Sequence, residues 1–432
     1  MKLPTASLLV GAAVISSSSA LFSWKNHQQA VGFSPQDEVS DVINNSPLLS
    51  LHKAISEIPS VSGDEEAIGE FLKSFLEAHN FVVTTQNVPL ENTTKPRYNI
   101  FAVPDPKKYG RESSSSSTPK VLLSSHIDTV PPHIPYSASA PALAGSHFSR
   151  EDILISGRGT VDDKACVAVQ TQTVLDLLAD PDSDLDPADL ALLFVVGEET
   201  TGDGMRYFND SDLYRNIKPG LKAVLFGEPT ELKLVAGHKG ISVLTITATG
   251  KAAHSGYPWL GKSANSMILP ALYVLDKLGD IPEDEGGLPR SELFGQSTVN
   301  VGYMQGGVAG NVVPEHAEAQ VTFRLAGGPI ERARQIILSA VHTADAEHEL
   351  DVNISQGYGP VVLDTDVDGF DVITVNYGTD VPNLEVADGV KRYLYGPGTI
   401  FVAHGDHEGL TVGDLEESVK GYKRLVKHAL EL

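Results

Sequence analysis

The sequence predicts an α/β protein with a central, mostly parallel sheet, into which a smaller α+β domain is inserted. Three observations carry that expectation. Continuous apolar runs at 119–125, 190–196 and 221–226 have the texture of parallel strands covered on both faces. Between the first two runs, Val167, Ala168, Thr171, Val174, Leu175 and Leu178 recur at helical spacing, which makes a strand–helix–strand crossover. From about Gly240 the texture becomes alternating, at 242–248, 299–303 and 317–325, as in half-exposed antiparallel strands.

The elements follow in chain order. Lys2 precedes a short apolar stretch from Leu8 to Ile15 and small residues up to Ala20, so residues 1–20 read as a secretory signal peptide and the chain as secreted and extracellular. The stretch falls short of the roughly 18 apolar residues a membrane span needs. A buried amino-terminal helix is the alternative. Residues 21–45 are polar and expected to be loosely attached; from Leu48 to Phe75 the apolar spacing is helical. The serine run 113–117 must be a surface loop. Residues 46–239 and 353–432 then form one α/β domain, and 240–352 the inserted domain, with a helical stretch at 263–278. The last helix is expected to open at Asp414, with Glu417 three residues on as in a capping box.

Composition bounds the function. With 432 residues there is material for two or three domains. Lys plus Arg number 32 against 56 Asp plus Glu, a net charge of −24, which repels nucleic acid and anionic membrane surfaces. Sequons at Asn92, Asn209 and Asn353 agree with export and are candidate glycosylation sites, whereas the one at Asn44 is followed by Pro47. The single cysteine, Cys166, lies in an apolar helical pattern and reads as a buried thiol.

Polar residues with chemistry sit where the apolar runs end. The first run delivers His126 and Asp128, which point the same way along an extended backbone, so Asp128 can hold the imidazole in one tautomer while the other ring nitrogen takes a metal. Taken alone, His-x-Asp reads equally as a carboxylate-capped strand end. The segment Gly157-Arg-Gly-Thr-Val-Asp162-Asp163-Lys164 lies between a strand and a helix, where ligands gather in open α/β sheets. A phosphate cradle is disfavoured there, because two aspartates would repel the anion. Glu198 and Glu199 follow the second run, Glu228 follows the third, and His404 lies near the carboxyl end. Two histidines with three carboxylates suit two zinc ions, whereas an all-oxygen calcium site would not use the imidazoles.

These residues, in order, resemble the motifs of the di-zinc metallopeptidases related to aminoacylase, acetylornithine deacetylase, succinyl-diaminopimelate desuccinylase and glutamate carboxypeptidase. The resemblance runs over about residues 48–432. It implies a zinc-peptidase-like catalytic domain with an inserted lid and dimerisation domain, and two Zn2+ per subunit. Asp162 would bridge the metals through a segment with a cis link to Asp163. Glu199 and His404 would complete one site, and His126 and Glu228 the other. Glu198 would be the general base, and Asp128 the partner of His126. Glutamate at 228 looks like the deacetylase and desuccinylase branch. In the lid, His254 matches a histidine that stabilises the oxyanion, sometimes across a dimer interface, which implies a homodimer. Asn311 and Arg324, with Gly398 in the outer domain, match substrate-holding segments; Arg324 suits a carboxylate because its planar fork binds one bidentately. Without the resemblance Arg324 reads as a surface strand residue. His133, His147, His238, His316 and His407 have no motif support.

The expected function is therefore a secreted zinc carboxypeptidase acting on a small peptide beside its free carboxylate. An N-acyl-amino-acid deacylase is the alternative within the same chemistry. A catalytically silent peptide- or metal-binding relative is the alternative outside it.

Overall fold

The computed structural model describes residues 35–90, 95–109, 118–141, 148–181, 185–355 and 357–432. The expected signal peptide, the serine run and Asn92 lie outside the described residues.

The apolar runs become the middle of a six-stranded sheet. Its spatial order is Phe81–Asn87, Tyr98–Pro104, Leu190–Val195, Val121–His126, Ala223–Phe226 and Lys391–Leu394. The last four are mutually parallel, and the first two form an antiparallel hairpin added at one edge. Side chains of the central strands alternate between two cores. Leu123, Leu192 and Leu225 face helices Pro47–Ser56, Lys164–Ala179 and Val412–Glu431, while Leu122, Leu193 and Val224 face Met205, Phe208 and Tyr214. Burial on both faces is why these strands read as unbroken apolar runs rather than alternating ones. Each such side chain contributes about 1.5–3 kcal/mol on leaving water, so the sheet is a stiff platform. Register makes it a level one: His126 lies opposite Val195, and Ser124 opposite Phe226, so the loops after three strands leave from the same edge.

The alternating runs form a second, antiparallel sheet. Its order is Thr298–Gly306, His316–Leu325, Gly240–Thr249 and Leu350–Ile354. Helices Ala264–Lys277 and Ile330–Ala344 cover one face, and Leu244, Ile246, Val321 and Phe323 pack beneath them with Ile268, Leu272 and Ile337. The central strand alternates buried and half-buried positions along nine of its ten residues, which is the period a one-sided sheet demands.

Three expectations need correction. The helical spacing from Leu48 to Phe75 is two helices, Pro47–Ser56 and Glu66–Ala78. Pro59 bars helical conformation at Ile58 and donates no hydrogen bond, and Gly63 at φ +94° turns the chain. The polar amino-terminal segment is not loose throughout: Pro35–Asn44 is a helix whose Val39 and Ile43, four residues apart, are buried in the main core. Its polar average concealed that pair. The last helix starts at Val412, two residues nearer the amino terminus. Thr411 is its cap, and Asp414 is the reciprocal partner inside the capping box rather than the opener.

Candidate active site

The level edge of the sheet gathers the chemistry. His126 ends its strand almost fully buried. Its Nδ1–H donates to the backbone carbonyl of Asp128 at 3.0 Å, with the Asp128 carboxylate at 3.6 Å, which fixes the ring and turns Nε2 toward another partner. Nε2 faces Asp162 Oδ1 at 3.0 Å. The other oxygen of Asp162, Oδ2, faces His404 Nε2 at 3.3 Å, and His404 Nε2 also lies 2.9 Å from Glu199 Oε2. One carboxylate thus looks at two imidazoles, one from each oxygen. Ligand atoms of His126, Asp162 and Glu199 converge within 4.8 Å of one another, and so do those of His126, Glu198 and Glu228. The peptide link between Asp162 and Asp163 is cis.

Asp128 does more than face His126. Its side chain is fully buried, accepts a hydrogen bond from the Ser62 hydroxyl at 2.7 Å, and accepts the backbone N–H of Glu198 and Glu199 at 3.1 and 3.3 Å. One aspartate therefore orients the imidazole and pins the acidic turn together.

The loop carrying Asp162 is held from below by a residue the sequence did not single out for a role. Glu408 is buried; its Oε1 accepts the backbone N–H of Gly159, Val161 and Asp162. Its Oε2 takes Arg158 Nη1 at 2.5 Å, while Arg158 Nη2 reaches the His404 carbonyl at 3.2 Å. This buried ion pair ties the loop of Asp162 to the loop of His404. Arg158→Met should cost about 3 kcal/mol of folding stability, because it strands a buried carboxylate. A urea unfolding curve would show a lowered midpoint at unchanged slope. A loss below about 1 kcal/mol would mean the pair is dispensable.

Electrostatically the cluster is an acid crowd. Burial pushes the Glu198 and Glu228 carboxyls well above the ordinary range; Asp380 and Glu199 add to this at Glu198, and Glu198 and Asp162 at Glu228. Burial also raises Glu199, with Asp162 adding repulsion. Hydrogen bonds that His404 donates to the Asp162 and Glu199 carboxylates raise its imidazole to about 10. Burial opposes charge on His126, but Asp128 and Asp162 outweigh it and raise the imidazole. Among the described residues nothing donates to Glu199 Oε1, although it is buried. Such a set is poorly satisfied by its own hydrogen bonds and is what a bound cation resolves.

The cluster forms the floor of a cleft of about 810 Å³. Asp162, Glu198, Glu199, Glu228 and His404 line it, as does Arg324 at the end of the inserted domain's strand. No hydrogen bond or ion pair holds the Arg324 guanidinium among the described residues, which leaves its fork free toward the cleft. Tyr358, Tyr377 and Arg206 also line the cleft and went unnoticed in the sequence, since they belong to no motif.

The structure does not bring every candidate to this floor. His254 and Asn311 are exposed neighbours on the inserted domain: Ser255 N–H donates to the Asn311 carbonyl at 3.0 Å, and His254 bridges to Val312. Neither lines the cleft. Gly398 lies outside it too. Glycine is required there because φ is +73° and a Cβ would meet Val161 Cγ1 at 2.8 Å. Asn353 is exposed; Asn209 is half-buried, its Oδ1 accepting the Glu385 N–H at 2.8 Å. Of the histidines without motif support, His238 is buried and held by the Lys239 carbonyl and the Thr379 hydroxyl, and burial lowers its pKa to about 4.

Known proteins resemble this chain over most of its length. Residues 236–352 match the profile of the peptidase dimerisation domain. A probable carboxypeptidase of Aspergillus fumigatus is 54% identical over 403 residues, covering 92% of this chain and 90% of that protein. Among solved structures, an M20 family metallo-carboxypeptidase from Sulfolobus solfataricus superposes with a TM-score of 0.65 at 16% identity, covering 90% of this chain and all of that one. A dinuclear metal binding peptidase of the M20 family from Bacillus subtilis gives 0.55 at 14% identity, covering 89% and 98%. At those identities the two structures speak for the fold, and the fungal relative carries the assignment: the chain belongs to the M20 family of metallopeptidases.

Proposed function

We propose that this chain is a secreted two-zinc carboxypeptidase that hydrolyses the peptide bond next to a free terminal carboxylate. The observation that carries it is Asp162, whose two oxygens each face a different imidazole. Two ions sharing that carboxylate would be completed by His126 and Glu228 on one side, and by Glu199 and His404 on the other. Nitrogen and oxygen donors in this proportion suit zinc. When bound, the ions supply Lewis acidity that makes water a nucleophile near neutral pH and polarises the scissile carbonyl.

The chain's own residues do the rest. Glu198, held by its backbone N–H on Asp128, takes a proton from the attacking water and returns it to the leaving amine. Arg324 grips the terminal carboxylate, which places the last peptide bond over the floor and excludes longer carboxyl-side extensions. His254 does not line this cleft, and its role would be in a second copy's. Around it Tyr257, Trp259 and Leu260 are exposed, Trp259 by 73%, an apolar face suited to a homodimer. Sedimentation at twice the chain mass checks that assembly.

The deciding experiment offers the purified protein blocked dipeptides and acetylated amino acids side by side. Release of the carboxyl-terminal amino acid from the dipeptides, abolished by a chelator and restored by zinc, is the expected result. Turnover indifferent to chelation would sink the metal reading, and turnover of the acetylated amino acids alone would make the protein a deacylase. The exported form should begin near residue 21 by intact mass; a protein starting at Met1 would remove the secretion reading.

A further inference from the structure

The turn that carries Glu198 and Glu199 is gripped from behind by the antiparallel edge hairpin, none of whose described residues lines the cleft. Arg97, immediately before strand Tyr98–Pro104, is 2% exposed. Its Nη1 and Nη2 each donate to one oxygen of Asp203 at 3.0 Å, a bidentate fork on the residue that opens helix Asp203–Asn209 just after the acidic turn. Glu65, also buried, stands 3.4 Å from Arg97 Nε. The fork lies close against Gly197, the residue before Glu198. A Cβ on Gly197 would overlap both Arg97 Nη2 and Asp203 Oδ1. Gly197 sits at φ +75°, and its carbonyl accepts the N–H of Thr201 and Gly202 at 3.1 and 2.8 Å, so it is the pivot of the turn. Two residues along the same hairpin strand, buried Asn99 staples both ends of the segment. Its Oδ1 accepts the Val196 N–H at 3.2 Å, and its Nδ2 donates to the Gly204 carbonyl at 2.7 Å.

We propose that Arg97 is a positioning residue for the acid pair: its fork on Asp203 is the surface against which Gly197 is seated, and that seating sets where Glu198 and Glu199 point. Asp128 also holds the same turn through two backbone N–H groups, so the turn is held by the Arg97–Asp203 ion pair and by a buried anion. Lysine cannot replace arginine here, because one ammonium cannot meet both oxygens of Asp203 in the plane that Gly197 packs on. A displacement of about 1 Å at a reacting group can cost on the order of 10²-fold in rate.

The inference rests on the proposed roles of Glu198 and Glu199, and its test keeps the two apart. Arg97→Lys and Gly197→Ala should each lower kcat about 10²-fold with KM within about threefold. In the double variant the losses should not multiply, because both substitutions break the same contact. Calorimetric titration of the metal-free proteins with Zn2+ alone should show one of the two binding steps weakened at least about tenfold in Arg97→Lys, the one that uses Glu199, and the other unchanged. Asp203→Asn keeps the volume and one acceptor oxygen, and supplies the same comparison if Arg97→Lys does not fold. A kcat within threefold of the parent with only a lowered melting temperature would overturn the proposal, as would multiplicative losses or two unchanged zinc steps. A parent protein that binds zinc yet cleaves no peptide would sink the carboxypeptidase reading and leave the zinc comparison to decide on Arg97.

Discussion

Glu198→Ala should lower kcat by about 10³-fold while the protein still binds about two zinc ions per chain, within the range expected for losing a general base. The two readouts separate roles that geometry alone leaves adjacent. Ligand atoms of Glu198, Glu228 and His126 lie within 4.8 Å of one another, so Glu198 is close enough to be a ligand as well as a base. Glu199 differs, because its Oε2 already faces His404. If Glu198 held a metal, its removal would lower zinc content along with rate. If it moves protons, zinc stays and only kcat falls. Glu198→Gln sharpens the comparison, since the amide keeps the volume and an oxygen donor but cannot carry the proton. Near-normal kcat in either variant, or loss of a zinc ion with the rate, would overturn the assignment of Glu198 as base.

The same separation between neighbours explains what the sequence could and could not disclose. Strands buried on both faces write continuous apolar runs, and a reactive side chain placed at a strand end is then adjacent in sequence to its own signpost. His126, Glu198 and Glu228 were legible for that reason, and the level register of three parallel strands turns their sequence positions into one spatial cluster. The residues that hold these side chains in place have no such signpost. Glu408 reaches Gly159 and Asp162 across about 250 residues of chain, and Arg97 reaches Asp203 across about 100. Neither lies on an apolar run or repeats at a period. Asp128 was legible as a partner of His126, but not as the acceptor for the Glu198 and Glu199 backbone, since that contact depends on where the neighbouring strand ends. Local chemistry also overrode average texture: Pro59 and Gly63 split a helical pattern, and Val39 with Ile43 docked a helix that composition marked as loose.

Asp162→Ala should be the most damaging single change, because it acts on both halves of the site at once. His404→Ala removes a donor from one side and leaves His126, Asp162 and Glu228 together. Asp162→Ala removes the one carboxylate among the described residues that lies within 4.0 Å of both imidazoles, and leaves Glu198, Glu199 and Glu228 to repel one another without a shared cation. Zinc content should fall from about two ions to well below one, and hydrolysis should become undetectable. Folding stability should fall with it, since a ligand present at 1,000 times its dissociation constant contributes about 4 kcal/mol that an empty site forfeits. The Arg158–Glu408 pair still braces the loop from beneath, so the fold itself should survive and the loss should appear as insensitivity of the melting temperature to added zinc. The parent protein, freed of metal, should melt near the variant and regain its stability on zinc addition. A variant that keeps two zinc ions would show that Asp162 does not bridge them. One that keeps a single tight ion would assign the carboxylate to one metal alone.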